Sequence, residues 1–407
     1  MYIRITAKVA DNSYVSLWSG VDCLFNAHPT GTCVGAEMKK ILFFIPNLSV
    51  GGAEKVLVNL VNNMDKNKFD ITVQTLFAGG VNEQFLHEDI KLKHCFKKTF
   101  KGNSKILTLF KPETLYKRFI KEHYDIVVSY LEGPTARIVS GCTDKDTKLV
   151  CWIHCRFDTP ETTAVGFRSF EEAKVLYNRF DKIACVSNWV KEYFCKAVDY
   201  KGDIEVLYNT NETEDVYKKS LLQVNDVSFD GDCFNLCSVG KIETVKGYDR
   251  LARIHKKLLD SGINNKVYIL GEGSQKKEIT DYLKQNGLEK SFLFLGYQTN
   301  PYKYVSKCDL FVCSSLSEGF STAATEALIV GTPVCTVEVS GMKEMLGENN
   351  EYGIVTENSE NALYEGIKLL LDNPDLLAHY KKQAEVRGKE FSTEKTVNAV
   401  EDMLISL

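Results

Sequence analysis

Lys39-Lys-Ile-Leu-Phe-Phe-Ile-Pro46, followed by Asn47-Leu-Ser-Val-Gly-Gly-Ala-Glu54, is the stretch that decides the fold. Ile41 to Ile45 is an unbroken apolar run without polar alternation, the pattern of a strand covered on both faces in a parallel sheet. A glycine turn follows, then an apolar helix from Ala53 to Met64. Strand, tight turn and helix in that order open an α/β unit. The rhythm continues with strands predicted at 69–77, 125–129, 148–154 and 182–186, and helices at 169–179 and 188–195. Residues 209–232 are polar and acidic with no convincing core strand, the character of a domain joint.

Beyond the joint the pattern restarts. Strands are predicted at 234–239, 267–270, 291–295, 310–313 and 333–337, with helices at 248–259, 275–286, 302–307, 323–329, 359–371 and 374–389. Two such α/β domains leave a cleft between them, and open parallel sheets bind ligands beyond the carboxyl ends of their strands. The expected division is 1–37, an N-terminal extension of uncertain structure; 38–210, the first domain; 211–232, the linker; 233–390, the second domain; and 391–407, a helix returning to the first. Within the extension, 2–9 has strand character and 20–35 has no sustained period. It reads as an appendage, an edge addition or translated sequence ahead of a start at Met38, and the sequence leaves all three open.

Composition narrows the class. At 407 residues, with 44% hydrophobic and 26% charged, the chain is a folded globular protein of more than one core. No apolar run approaches the roughly 18–20 residues of a membrane helix, and the first segment lacks signal-peptide character, so a cytoplasmic location is expected. Thirteen cysteines, an odd number, sit largely in apolar runs, as do Cys151, Cys185, Cys237, Cys308 and Cys313; buried thiols explain them more simply than disulfides. Cys151, His154 and Cys155 lack a second ligand pair at zinc-site spacing. A net charge of −4 makes no general case for nucleic-acid binding.

Four loops between strands and helices carry candidate chemistry. Gly51 and Gly52 permit close backbone approach to a helix start whose free amides suit an anion; read alone, they are equally an ordinary tight turn. They are not a dinucleotide fingerprint, because no G-x-G-x-x-G follows a strand there. Gly240-Lys-Ile-Glu-Thr-Val-Lys-Gly247 puts Lys241 and Lys246 just past a strand, where two ammonium groups suit a departing diphosphate. Gly271-Glu-Gly273 and Gly296-Tyr297 are glycine turns suited to packing against a flat base. In Glu318-Gly-Phe-Ser-Thr-Ala-Ala-Thr-Glu326, Gly319 gives a turn, Ser321 or Thr322 caps a helix, and the amides of Phe320, Ser321 and Thr322 meet phosphate or sugar oxygens. Two carboxylates, one before the helix and one a turn inside it, suit vicinal hydroxyls.

Taken together, these stretches resemble the retaining glycosyltransferase family 4 group, including bacterial members that build capsule, exopolysaccharide and lipopolysaccharide. The resemblance also includes Gly331-Thr-Pro-Val334 and Ser340-Gly-Met-Lys-Glu344, and it spans Met38 to the C-terminus. It implies an α/β GT-B fold, two Rossmann-like domains facing across a cleft, with the acceptor side first and the donor side second. It further implies retaining, metal-independent transfer from a nucleotide sugar, a UDP-sugar ahead of a GDP-sugar, with no cofactor required. Matched position by position, it assigns Glu326 to the ribose hydroxyls, Glu318 to the transferred sugar, Lys246 to the diphosphate, Gly52 to close approach beside it, and His154 to the sugar and acceptor. Lys241 stands where the family usually has arginine, so it offers a point charge without the bidentate fork. Met342 replaces the family's second glycine.

The acceptor implied by the resemblance is a glycan carried on polyprenyl diphosphate at the cytoplasmic face of the membrane. From Lys91 to Lys121 the chain has ten Lys or Arg residues against one acidic residue, Glu113, interleaved with aromatics. Lys93, Lys97, Lys98, Lys101 and Lys105 on such a face suit anionic lipid headgroups; the alternative is a solvated lysine-rich surface. Two other functions stay open: a nucleotide-sugar epimerase or hydrolase of the same fold, and a non-catalytic nucleotide- or carbohydrate-binding module.

Overall fold

The structure, a computed structural model, describes residues 6–8, 14–16, 38–100, 102–229, 231–339 and 341–407. The chain divides into two compact units, 1–37 and 38–407. In the first, Thr6–Lys8 and Tyr14–Ser16 pair as an antiparallel ladder; the predicted strand at 2–9 is described only over its last part, and 20–35 lies outside the described residues.

The second unit contains two wholly parallel sheets. The first is built from β1 (Lys39–Ile45), β2 (Phe69–Phe77), β3 (Lys91–Phe96), β4 (Ile126–Ser129), β5 (Lys148–Ile153), β6 (Lys182–Cys185) and β7 (Asp203–Val206), in the order β3-β2-β1-β4-β5-β6-β7. The second is built from β8 (Phe234–Val239), β9 (Asn265–Leu270), β10 (Phe292–Gly296), β11 (Leu310–Cys313), β12 (Val334–Val337) and β13 (Ile354–Thr356), in the order β10-β9-β8-β11-β12-β13. In each, the first strand is central and later strands add on both sides. The order reverses between β1 and β4 and between β8 and β11, and such switch points open crevices at the strands' carboxyl ends.

The central strands are apolar because helices cover both of their faces. Ile41, Leu42, Phe43, Phe44 and Ile45 are all fully buried. Helices that matter below are α1 (Gly52–Asn63), α2 (Asn188–Val198), α3 (Thr213–Ser220), α4 (Tyr248–Asp260), α5 (Thr322–Ile329) and α6 (Thr393–Ile405). At the end of the chain, the carbonyls of Leu404 and Ile405 each accept from Lys39 Nζ at 3.1 Å. Glu401 of α6 accepts from the Asp65 amide at 2.6 Å and from Lys68 at 2.8 Å. These bonds tie α6 to the first sheet and its first connection.

The structure adds elements that the apolar runs did not reveal. β3, β7 and β13 are edge strands, and β3 and β7 are half-exposed along their length. Helix α3 falls within the acidic stretch expected to be a linker. It buries only Val216 and Ser220, and Val216 packs with Tyr302 and Ile329.

Candidate functional site

A cleft of about 1600 Å³ lies between the carboxyl ends of the two sheets. From the first sheet come the turn after β1, which starts α1, and His154 after β5. From the second come the loops after β8, β9 and β11. The first amides of α1 have no side-chain cap at Gly51, whereas Ser321 caps α5 by accepting from the Ala324 amide. The two helix starts face each other: a Cβ on Gly52 would lie 3.6 Å from Thr322 Oγ1 and meet nothing else. Opposed helix N-termini concentrate partial positive charge in the gap between them.

Two ion pairs line this gap. Lys246 Nζ meets Glu318 Oε1 at 2.5 Å, and Ser315 Oγ donates to the same oxygen at 2.6 Å. Burial alone would weaken the Lys246 ammonium, but Glu318 raises its pKa above the ordinary value. The second pair joins Lys55 of α1 to Glu326 of α5, with Tyr302 bonded to both. Glu326 is buried, and its helix surrounds it with apolar side chains. Lys241 is exposed at the rim. Nearby Glu54 has a raised pKa, chiefly from burial, which Lys241 partly offsets.

The loops are held rigidly. Arg250 of α4 is buried and donates to the carbonyls of Ser314 at 2.7 Å and Ser315 at 2.8 Å. Gly247 has φ 62°, and a Cβ there would strike the Ser314 carbonyl oxygen at 2.2 Å. Only glycine lets the loops after β8 and β11 lie this close, which sets Lys246 beside Glu318.

His154 is buried with its ring 5.1 Å from that of Tyr130, and burial pushes its pKa down to about 3. Its Nε2 is buried and has no hydrogen-bond partner among the described residues. Its amide donates to Glu132 at 2.9 Å. The His154 carbonyl lies against Gly319 of the opposite half, where a Cβ would approach it to 1.8 Å. A further cross-cleft contact joins Glu344 to the Asn188 amide at the start of α2, at 2.9 Å.

Gly51, Gly52, Lys241, Lys246, Gly271, Tyr297, Glu326 and Glu318 to Thr322 all line this one cleft, whereas Gly296, Gly273 and the Gly331–Val334 stretch do not. A Cβ on Gly273 would meet the Ile242 carbonyl oxygen at 2.3 Å, so this glycine serves loop packing. Gly271 lines the cleft but is likewise pressed on Gly240, at 1.9 Å. Tyr297 is 46% exposed at the cleft wall. Met342, at the family's second-glycine position, is fully buried. Ser340, within the Ser340–Glu344 stretch, lies outside the described residues. Of the lysines chosen for a membrane surface, Lys93 is paired with Glu122 at 2.6 Å, while Lys97, Lys98 and Lys105 are exposed without an ion pair among the described residues. Lys101 lies outside the described residues. None of these is in the cleft. Among the described residues, no group of three or more His, Cys, Asp or Glu side chains is placed to hold a metal ion, and the cysteines expected in core runs are buried and free.

Sequence reading missed Lys55, Tyr302, Arg250 and Ser315. Lys55 left one trace, being the only cation in α1.

Two family models match the chain: Glycosyltransferase Family 4 over residues 50–215 and Glycosyl transferases group 1 over 223–387. A curated relative from Campylobacter jejuni, an N-acetylgalactosamine-N,N'-diacetylbacillosaminyl-diphospho-undecaprenol 4-alpha-N-acetylgalactosaminyltransferase, is 29% identical, with 88% of this chain and 97% of the relative covered. A second protein of that bacterium, a GalNAc-alpha-(1->4)-GalNAc-alpha-(1->3)-diNAcBac-PP-undecaprenol alpha-1,4-N-acetyl-D-galactosaminyltransferase, is 23% identical, with 87% and 95% covered. Among solved structures, HepE of Anabaena in complex with UDP-glucose shares the fold with a TM-score of 0.69 at 18% identity, covering 91% of this chain and all of that one. Sucrose-phosphate synthase from Thermosynechococcus elongatus shares it with a TM-score of 0.71 at 14% identity, covering 90% and 98%.

Proposed function

Because the chain belongs to the family 4 glycosyltransferases, with the GT-B fold, we propose that its cleft takes a UDP-sugar and transfers the sugar, with retention, to a glycan carried on a polyprenyl diphosphate. The observation that carries the reading is the convergence of two helix N-termini on a gap flanked by Lys246, Glu318 and Glu326. A diphosphate in that gap meets the uncapped first-turn amides that remain at the starts of α1 and α5 and the Lys246 ammonium, which stabilise the charge that develops on the leaving group. No metal is needed in this scheme. Glu326 accepts from the ribose diol and Glu318 from the transferred sugar. His154 is neutral at physiological pH, so its ring offers an uncharged polar group to a hydroxyl of the sugar or acceptor and does not serve as a cationic acid.

Retention follows if the acceptor hydroxyl attacks the face the diphosphate leaves, its proton passing to a departing phosphate oxygen. The undecaprenyl-diphosphate carriers named for the two Campylobacter relatives support a lipid-linked acceptor. So does the segment from β3 to residue 110, in which Ile106, Leu109 and Phe110 are exposed, as are Lys97, Lys98 and Lys105. Exposed apolar side chains together with exposed lysines suit an anionic bilayer surface, on the inner face where such acceptors lie.

Incubation with UDP- and GDP-sugars and a polyprenyl-diphosphate glycan tests the reading. Acceptor-dependent transfer giving an α-linked product by NMR is expected, with Glu326→Gln weakening donor binding. Donor binding without product would point to a binding module, and isomerised donor to an epimerase. Charge reversal at Lys97, Lys98 and Lys105 should reduce salt-sensitive binding to anionic liposomes; unchanged binding would refute the membrane surface.

A further inference from the structure

Lys55 has no role in the transfer scheme above, yet it sits at the scheme's centre. Its ammonium bonds to Glu326 Oε1, and Tyr302 donates to that same oxygen at 3.1 Å. The ammonium also lies 5.0 Å from the centre of the Tyr302 ring. Both protein donors therefore fall on one carboxylate oxygen, and Oε2 receives none among the described residues. Burial by itself favours a neutral amine here, but Glu326 and Tyr302 hold the ammonium charged and its pKa raised. Glu326 itself is only 7% exposed.

The two partners are 271 residues apart and sit near the starts of helices belonging to opposite sheets. Their contact therefore exists only while α1 and α5 face each other across the cleft. We infer that Lys55 is a positioning residue: reaching from the acceptor-side half, it fixes Glu326 together with Tyr302 so that Oε2 receives the ribose diol. Recognition of the ribose then depends on the approach of the two halves. This rests on the ribose role proposed above for Glu326. A lysine that merely bridged the halves would influence stability and closure, but not the preference for ribose over deoxyribose.

Calorimetric titration of the full chain with UDP and with 2′-deoxy-UDP separates these cases. The wild-type chain is expected to favour UDP by about 10- to 100-fold, the loss of a hydrogen bond to a charged group. Lys55→Met should shrink that preference to about threefold or less, Tyr302→Phe should reduce it partway, and Lys55→Arg should retain most of it. If Lys55→Met fails to fold, the Tyr302→Phe and Lys55→Arg results carry the test. A full preference in Lys55→Met, or in Tyr302→Phe, alongside its loss in Glu326→Gln overturns the role of Lys55 and leaves the ribose assignment standing. A full preference in Glu326→Gln, or none in the wild type, overturns the ribose assignment and this inference with it.

Discussion

Gly319 is the position where one methyl group tests the geometry most directly. It follows Glu318, and a Cβ built on it would lie 1.8 Å from the His154 carbonyl oxygen, a backbone atom of the opposite half. Ordinary contact begins at 3.4 Å, so Gly319→Ala forces the two loops apart by about 1.6 Å. Backbone conformation is no obstacle, because Gly319 is not among the glycines at positive φ. The cost thus falls on the approach of the halves. A displacement of about 1 Å in a reacting pair costs on the order of 100-fold in rate, or about 2.7 kcal/mol in the barrier. Gly319→Ala is therefore expected to lower kcat for transfer about 100-fold and to weaken UDP binding as well, since the Lys55–Glu326 contact and the start of α1 depend on the same approach. Steady-state kinetics with acceptor and calorimetry with UDP read the two quantities, and a melting curve checks that the chain is folded. A variant with wild-type kcat would refute the claim that this contact sets the reacting geometry.

Gly52→Ala is expected to act in the opposite manner to a packing glycine. Its Cβ would meet only Thr322 Oγ1 at 3.6 Å, so melting should be unchanged or slightly higher, as alanine is the better helix former. The methyl would stand between the two helix starts, and donor affinity should fall about tenfold by calorimetry; unchanged affinity would place the diphosphate elsewhere. His154 makes a prediction about pH. Burial lowers its folded pKa from 6.5 to about 3, so the unfolded chain binds this proton first as the solution is acidified. Its contribution to stability is complete above pH 6.5 and is lost progressively from there to pH 3. Denaturant melts across that range should show a stability loss that is smaller in His154→Gln. The transfer rate should show no titration near 6.5 that this substitution removes.

How much of this was legible in the sequence depends on where each residue finds its partners. β1, β4, β5, β8 and β11 lie inside their sheets and are buried along most of their length, so their sequences are dominated by apolar residues. β3 carries Lys91 and Lys93 and β7 carries Asp203 and Glu205, because an edge strand has one side in water. Helix α3 was hidden for a related reason, since it needs only Val216 and Ser220 against its neighbours. In the cleft, residues lying on glycine-marked loops were readable because the loop itself carries the signal. Lys55 and Tyr302 lie on helices, where no local pattern distinguishes a side chain that meets a partner from the other sheet. Gly273 shows the converse: a glycine turn tells that something comes close, without telling whether that is a ligand or the Ile242 backbone.

The charges of the cleft have one further consequence for the proposed reaction. Lys246 is paired with Glu318, and Lys55, from the other half, with Glu326, so each of the two carboxylates has a cation bonded to it. A ligand that brought only a sugar would leave both pairs intact and gain little from the carboxylates. A diphosphate competes with Glu318 for Lys246, and as the ammonium turns to the phosphate, the carboxylate becomes free to accept from the sugar's hydroxyls. The two motifs then act in sequence on one molecule, since the leaving group frees the residue that holds the group to be transferred. Lys55 and Glu326 have no such competitor, because a ribose brings hydroxyls and no charge, so that pair persists and keeps α1 against α5. One lysine–glutamate pair in the cleft exchanges partners while the other stays fixed, and the fixed pair is the one that spans the two halves.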